Sequence, residues 1–475
     1  MKPTGKDMSI VSALRRETPI ILPLFLPILI SQYAGIANGV IDTAMAGALG
    51  TVELASIAVG AAIWVPFFAF ILGTLYGLLI FVSQAFGAGD SESVNASTQQ
   101  GMYLGVALGL LTTLILYLIA SNISLFGVEA EIAEPASRYI KAVIWSIPVA
   151  CMVFAVRFYC EGQKAVMPVT IIAVISVGFK ILFNYMFMFG NFGMPAMGVA
   201  GCGLATICEY TAFLLMLVGY VSLAPRFSKQ RLFGRLHHPN FSSILEITKK
   251  GVPIGLCFTS EFLIFSVMVM FISQEGAVAA AAHQIAFNCM ILFFSMAAAF
   301  SSAACIRVGN LFGGGDKEKL RHAVSGIVSL SALIGCLLMA GMIFKAQELA
   351  SLFTSDALVI PLAVSILYVA AFFQIADSMQ VCLNGVLRGV GDVSVPFLYT
   401  TIAYWGIGIP LGYVLAGMPL PLGLAIPMNF GVVGWWLALT VALFIATAAL
   451  GWRMRVMLWG KAGPVENLVA AQSNA

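Results

Sequence analysis

Charge is scarce in this chain. Asp, Glu, Lys and Arg make up 9% of its 475 residues, against about 25% in a soluble globular domain. Hydrophobic residues make up 60%, with a mean hydropathy of +0.99, so lipid is the better solvent for its surface. Histidine is scarce too, with four in the whole chain, and no HExxH or GxSxG element occurs. Hydrolytic chemistry therefore lacks its usual groups, and no enzymatic activity or resident cofactor is expected. No GxxxxGK[ST] loop is present either, which leaves an ion gradient or a partner as the energy source for any work done. The nine cysteines, Cys151, Cys160, Cys202, Cys208, Cys257, Cys289, Cys305, Cys336 and Cys382, form no CxxC or Cys/His cluster. They read as small core residues rather than as a disulfide framework or a zinc site. The net charge of +3 says little about partners, and no nucleic-acid partner is expected.

What is present is apolar sequence in long runs. A spanning helix needs roughly 20 apolar residues, and that window finds about twelve. They fall near 18–44, 54–81, 97–120, 135–156, 166–189 and 199–222, then near 251–273, 278–303, 322–345, 358–381, 394–416 and 428–452. The first run follows Arg15 and Arg16 as a signal peptide does, but it is too long for one and reads as a retained membrane helix. The expected fold class is an all-α integral membrane protein. Its expected parts are an N-terminal tail 1–17, a first lobe 18–223, a linker 224–250, a second lobe 251–453 and a C-terminal tail 454–475. With the N-terminus in the cytoplasm, 20 of the 24 Lys and Arg fall on the cytoplasmic side. The positive-inside rule then puts both termini in the cytoplasm.

The two halves repeat. Gln84-Ala-Phe-Gly-Ala-Gly-Asp90 matches Asn310-Leu-Phe-Gly-Gly-Gly-Asp316 at an offset of 226, which Gly50 and Gly276 share. Gly162 with Pro168 pairs with Gly389 and Pro396, and Gly198-Val-Ala-Gly pairs with Gly431-Val-Val-Gly at 233. Any one match is chance-grade in an Ala/Gly-rich chain, but four in order at nearly one offset indicate duplication. Six helices per half insert both halves the same way. The implied pseudo-two-fold axis lies along the membrane normal, with a cleft between the lobes.

Charges within apolar spans cost about 2.5–3.5 kcal/mol each on insertion scales, so they persist where they face a cavity, a partner or an ion. Asp42, at the end of the first span, has Asn38 one turn before it on the same face. Together they suit a small hard cation or a proton, the alternative being an Asp that simply faces water. Glu261 and Asp377 lie inside spans of the second half, either as proton- or cation-exchanging carboxylates or as hydrogen-bonded structural acids. Lys180 and Glu209 occupy neighbouring spans of the first half. They either bridge one another, or Lys180 faces Asp42 and competes with an incoming cation; Asn184 shares the face of Lys180. His283, beside Gln284, reads as a polar-contact residue or a proton relay. Arg157, Arg307 and Arg388 sit at predicted cytoplasmic helix ends and are expected to snorkel. A subset of the 34 Phe and 22 Met can line a cavity for flat, greasy ligands.

Several stretches carry a family resemblance that runs from about residue 17 to 455. Gly39-Val-Ile-Asp42-Thr-Ala-Met-Ala-Gly47 and the preceding Pro27 resemble the first-helix signature, with its bending proline, of MATE (multidrug and toxic compound extrusion) transporters. Ala282-His283-Gln284-Ile285-Ala286, Gly385-Val-Leu-Arg388-Gly389 and Gly201-Cys-Gly-Leu-Ala-Thr206 are similar to other segments of that family, the last to its bacterial NorM-like branch. The resemblance implies a monomeric efflux protein of the bacterial inner membrane. It would export cationic, amphipathic compounds by alternating access, in antiport with Na+ or H+ as coupling ion. It implies a second-lobe cation site, with Na+ as a candidate metal ion, at Glu261 and Asp377, and a first-lobe acid at Asp42. Lys180 and Glu209 depart from the family pattern, and a lysine there supplies a built-in cation or neutralises Asp42. A flippase for lipid-linked precursors would need a cavity lined with Arg and Lys. A major-facilitator-type carrier would need a basic loop where Gln84-Ala-Phe-Gly-Ala-Gly-Asp90 has none.

Overall fold

A computed structural model describes residues 10–228, 230, 232–234, 236–418 and 429–460. Its long helices are α1 (Ile10–Leu49), α2 (Thr51–Gly87), α3 (Ser91–Ser121), α4 (Ala130–Val143), α5 (Ser146–Gly162), α6 (Val166–Phe187) and α7 (Val199–Leu223). The second half holds α8 (Phe241–Ile272), α9 (Ala277–Gly313), α10 (Lys317–Phe344), the short α11 (Ala346–Ser351) and α12 (Val359–Gly389). It closes with α13 (Ser394–Thr401), α14 (Ile409–Leu415) and α15 (Gly431–Trp459). No strand occurs among the described residues. Eleven segments are long and apolar enough to cross a bilayer, and a twelfth is a pair of helices bent by 41°. The tails 1–9 and 461–475 lie outside the described residues.

The bent pair is α4 and α5, where one span was expected near 135–156. Pro148 has no N–H for the carbonyl of Ile144, so the ladder breaks there. That carbonyl accepts instead from the Thr113 hydroxyl at 3.0 Å and from the Ile147 N–H at 3.1 Å. A second break is wider: α13 and α14 are joined by a π-helical stretch, Ile402–Gly408. Pro410 leaves the Gly406 carbonyl without its usual donor, and the chain widens by a residue per turn instead of kinking.

The repeat is visible in backbone geometry. Asp90 caps α3 by accepting from the Ser93 N–H at 3.0 Å, and Asp316 caps α10 by accepting from the Lys319 N–H at 3.0 Å. Gly89 and Gly315 before them sit at φ 76° and 72°. Gly162 and Gly389 are equivalent by contact: a Cβ on either would stand 2.6 or 2.7 Å from Cγ1 of Val82 or Val308 respectively, 226 residues apart. Three residues separate α5 from α6 and four separate α12 from α13, and each loop makes the same pair of turns. The Lys164 N–H donates to Glu161, and the Gly391 N–H donates to Arg388, at 2.9 and 2.8 Å.

Two compact units result, one of residues 26–259 and the other of residues up to Phe25 together with those from Ser260 on. The divisions fall inside α1 and α8, whereas a linker was expected at 224–250. The helix that opens each half is thus split between the units. In the unit that contains α9, Arg307 grips Glu17 of α1 through Nε at 3.0 Å and Nη2 at 3.1 Å, and Phe25 meets Phe300 edge-on at 5.7 Å. In the other unit α8 lies directly on α2, where a Cβ on Gly251 would fall 1.9 Å from the Thr74 carbonyl oxygen. The polar stretch before α8 is held as well. Gln99 of α3 donates to the Leu232 carbonyl at 2.6 Å and accepts from the His237 N–H at 2.7 Å. Gln100 accepts from the Asn240 N–H at 2.7 Å. Residues 241–250 are already helical.

Candidate functional site

Each unit carries one polar group of residues inside its helices. In the first, helical spacing puts Asn38 and Asp42 one turn apart on α1, and Lys180 and Asn184 one turn apart on α6. Asp42 lies seven residues inside α1, since the helix continues to Leu49 rather than ending at the acid. The Lys180 ammonium, 1% exposed, stands 2.9 Å from Oδ1 of Asp42. It also donates to the Thr206 hydroxyl at 2.5 Å, which donates in turn to the Cys202 carbonyl at 2.9 Å. Asn184 donates to the same Asp42 oxygen at 2.7 Å. Asn38 turns away from Asp42 and donates to Oε1 of Glu209 at 2.8 Å.

Asn38 and Asp42 face different partners: Oδ1 of Asp42 meets an ammonium and an amide N–H, and Asn38 meets Glu209. Among the described residues Lys180 makes its ion pair with Asp42 and none with Glu209. Thr206 was not singled out from the sequence, although its place inside the motif Gly201–Thr206 was the available signal.

The second unit presents a cavity. Glu261 of α8 and Asp377 of α12 both line it, and its walls include Phe265, Phe287, Met290, Phe294, Phe373 and Tyr404. Asp377 is 2% exposed, and its Oδ2 has no hydrogen-bond partner among the described residues. Tyr404 reaches the cavity from the π-helical stretch, whose next residue, Trp405, donates its indole N–H to the Ser260 hydroxyl at 2.6 Å. That bond ties the widened backbone to the residue before Glu261. The arrangement offers a cation two carboxylates in a largely aromatic wall. The described residues contain no group of three His, Cys, Asp or Glu that would hold a metal ion.

His283 accepts from the Trp436 indole N–H at its Nδ1, at 3.2 Å, and is 1% exposed. Its neighbour Gln284 is exposed and donates to Asn288 at 3.1 Å. Pro27 leaves α1 continuous, and its carbonyl accepts from the Thr170 hydroxyl at 2.7 Å. The three arginines expected to snorkel are ion-paired or buried. Arg157 binds Glu161 at 2.6 Å, Arg307 binds Glu17, and Arg388 is buried at 6% exposure. Sequence reasoning also passed over the buried amides of α12. Gln374 and Gln380 are fully buried, and neither end of either amide has a partner among the described residues.

A family model, MatE, matches residues 27–186 and 253–414. The chain belongs to the MatE family. Among its relatives, the multidrug resistance protein MdtK of Proteus mirabilis is 36% identical over 403 residues, covering 84% of this chain and 88% of the relative. The multidrug resistance protein NorM of Aliivibrio fischeri is 32% identical, with 84% and 87% covered. PmpM of Pseudomonas aeruginosa, also a multidrug resistance protein, is 33% identical, with 85% and 84% covered. The fold agrees with that of solved MATE transporters. The eukaryotic transporter AtDTX14 superposes with a TM-score of 0.84 at 21% identity, over 96% of this chain and all of that one. A mutant of the Vibrio cholerae transporter VcmN gives 0.84 at 17% identity, over 95% and 99%. This MATE protein is thus a multi-pass membrane transporter of the NorM-like kind.

Proposed function

We propose that this MATE protein exports cationic, amphipathic compounds from the bacterial cytoplasm across the inner membrane, by exchange for Na+ or H+ at Asp377 and Glu261. One observation carries the reading: a buried carboxylate with an unpartnered oxygen opens, with a second carboxylate, onto an aromatic cavity. A flat cation gains from ring faces and from negative charge together. A monovalent ion or a proton gains from the negative charge alone. The two cations compete for the same carboxylates, so binding of one weakens the other, and that mutual exclusion couples their movements. Swapping one monovalent cation for another cancels the membrane-potential term of about 2.3 kcal/mol per charge at 100 mV. The concentration gradients then supply the drive. The names of the relatives, multidrug resistance proteins, support drug export. The Lys and Arg distribution supports cytoplasmic termini.

Efflux of a cationic dye from membrane vesicles, with Na+ and pH gradients imposed separately, tests the reading. One of the two gradients should accelerate efflux. Indifference to both would exclude exchange.

A further inference from the structure

We infer that the exchanging carboxylate of the first unit is Glu209 rather than Asp42, and that Lys180 is the cause. The inference rests on the exchange reading above and adds a proton site to it.

Asp42, Lys180 and Glu209 are the three charged side chains of this buried group. The Asp42 carboxylate has its countercharge 2.9 Å away, and the Asn184 amide N–H at 2.7 Å occupies the same oxygen. An arriving cation would have to displace an ammonium that is covalently tethered, 1% exposed and also fixed by Thr206. Asp42 and Lys180 therefore form a neutral unit that does not exchange. Glu209 is 2% exposed and has no ion pair among the described residues. Its hydrogen-bonding side-chain neighbours are neutral: the Asn38 amide, which donates at 2.8 Å, and Ser176, whose hydroxyl lies beside the same carboxyl. A carboxylate so placed carries the group's one uncompensated negative charge.

The titratable and charged groups around it come from every packed helix. Asp42 comes from α1, Lys180 from α6, Cys202 and Tyr210 from α7, and Tyr139 from α4. Arg157, already paired with Glu161, comes from α5, and α2 contributes the neutral Trp64 against Tyr139. Both cations near Glu209 are thus spent, Arg157 on Glu161 and Lys180 on Asp42.

The step is a simple proton exchange. A proton taken from water outside adds to an oxygen of Glu209 and makes the buried group neutral. When a cationic substrate arrives from the cytoplasm, that proton leaves to water and the carboxylate regains its charge. Asn38 donates to the carboxyl oxygen in both states.

The test counts protons released when tetraphenylphosphonium is added to the full-length protein in detergent, in lightly buffered, Na+-free solution at neutral pH. Glu209→Gln should release one proton fewer per transporter than the wild type while still binding tetraphenylphosphonium. The double variant Asp42→Asn, Lys180→Met should release as many as the wild type. An unchanged count in Glu209→Gln, a reduced count in the double variant, or no release from the wild type would each overturn the assignment. Dye efflux driven by a Na+ gradient alone would still uphold the exchange at Asp377 and Glu261 in that last case. Should Glu209→Gln fail to accumulate, infrared difference spectra compare the wild type with Glu209→Asp, each carrying 13C-labelled glutamate. Tetraphenylphosphonium should remove a protonated-glutamate band from the wild type that Glu209→Asp lacks, and the same band change in both counts against Glu209.

Discussion

Lys180 sets its ammonium 2.9 Å from Oδ1 of Asp42, between two helices and shielded from water. Taking one partner from such a pair leaves a desolvated charge with nothing to offset it, at a cost of about 3–5 kcal/mol. Replacing both partners by neutral groups of similar size removes the desolvation and the attraction together. Lys180→Met should therefore lower the melting temperature in detergent sharply, and adding Asp42→Asn should recover most of the loss. Equal melting of the single and double variants would show that the two charges are not coupled.

Asp377→Asn keeps the shape of the side chain and removes its charge. The variant should accumulate normally in the membrane while gradient-driven dye efflux falls to the level of an empty vector. Glu261→Gln should do the same, since both carboxylates face one cavity. Retention of full efflux by both variants would move the exchange site elsewhere.

These two sites were legible in the sequence to different degrees. A charge inside an apolar run announces itself, so Asp42, Lys180, Glu209, Glu261 and Asp377 were all visible as candidates. Their partners were not, because helical spacing relates residues on one helix and leaves open which neighbour each face meets. Asn38 was assigned to Asp42 on spacing alone, yet it bonds Glu209. The number of spans was readable because bilayer thickness sets their length. The boundary between units was not. It is fixed by Glu17 with Arg307 and by Gly251 on Thr74, contacts between residues more than 170 positions apart. Neutral residues gave little signal. Thr206 and Gln380 look ordinary in a window of apolar sequence and become notable only once their burial is known.

The repeated caps Asp90 and Asp316 lie outside the membrane spans, and hydrogen bonds from Ser93 and Lys319 hold each carboxyl below its ordinary pKa. A group whose pKa is depressed in the folded state contributes stability above its unfolded value, and that contribution is lost as pH falls through the folded value. Asp316→Ala should cost about 1 kcal/mol at neutral pH, the usual worth of a helix N-cap. The difference from wild type should shrink as pH drops below about 4. A pH-independent difference in melting would show that the carboxylate charge plays no part.

Gly391 sits at φ 84°, where Lys164 occupies the equivalent turn of the first unit at φ 64°. A side chain in this left-handed conformation costs about 1–2 kcal/mol. Gly391→Ala should destabilise by about that amount, and Lys164→Gly should gain part of it back in the other unit, both read as shifts in thermal melting. The strain account fails if Lys164→Gly lowers stability.

Asp377, Gln380, Asn384 and Arg388 recur at intervals of three and four along α12 and so share one face of the helix. Both polar atoms of the Gln380 amide are buried without a partner among the described residues, which costs about 1–3 kcal/mol in a dry site. The amide lies one turn from Asp377, the carboxylate proposed to exchange. Water entering along this face would satisfy the amide and would connect Asp377 to the end of α12. Gln380→Leu removes the unsatisfied amide, so melting should stay level or rise. Gradient-driven efflux should fall several-fold, because the path for ions or protons to Asp377 loses a polar step. If Gln380→Leu instead melts lower and transports normally, the amide is a structural hydrogen-bonding group and the polar face is not a path.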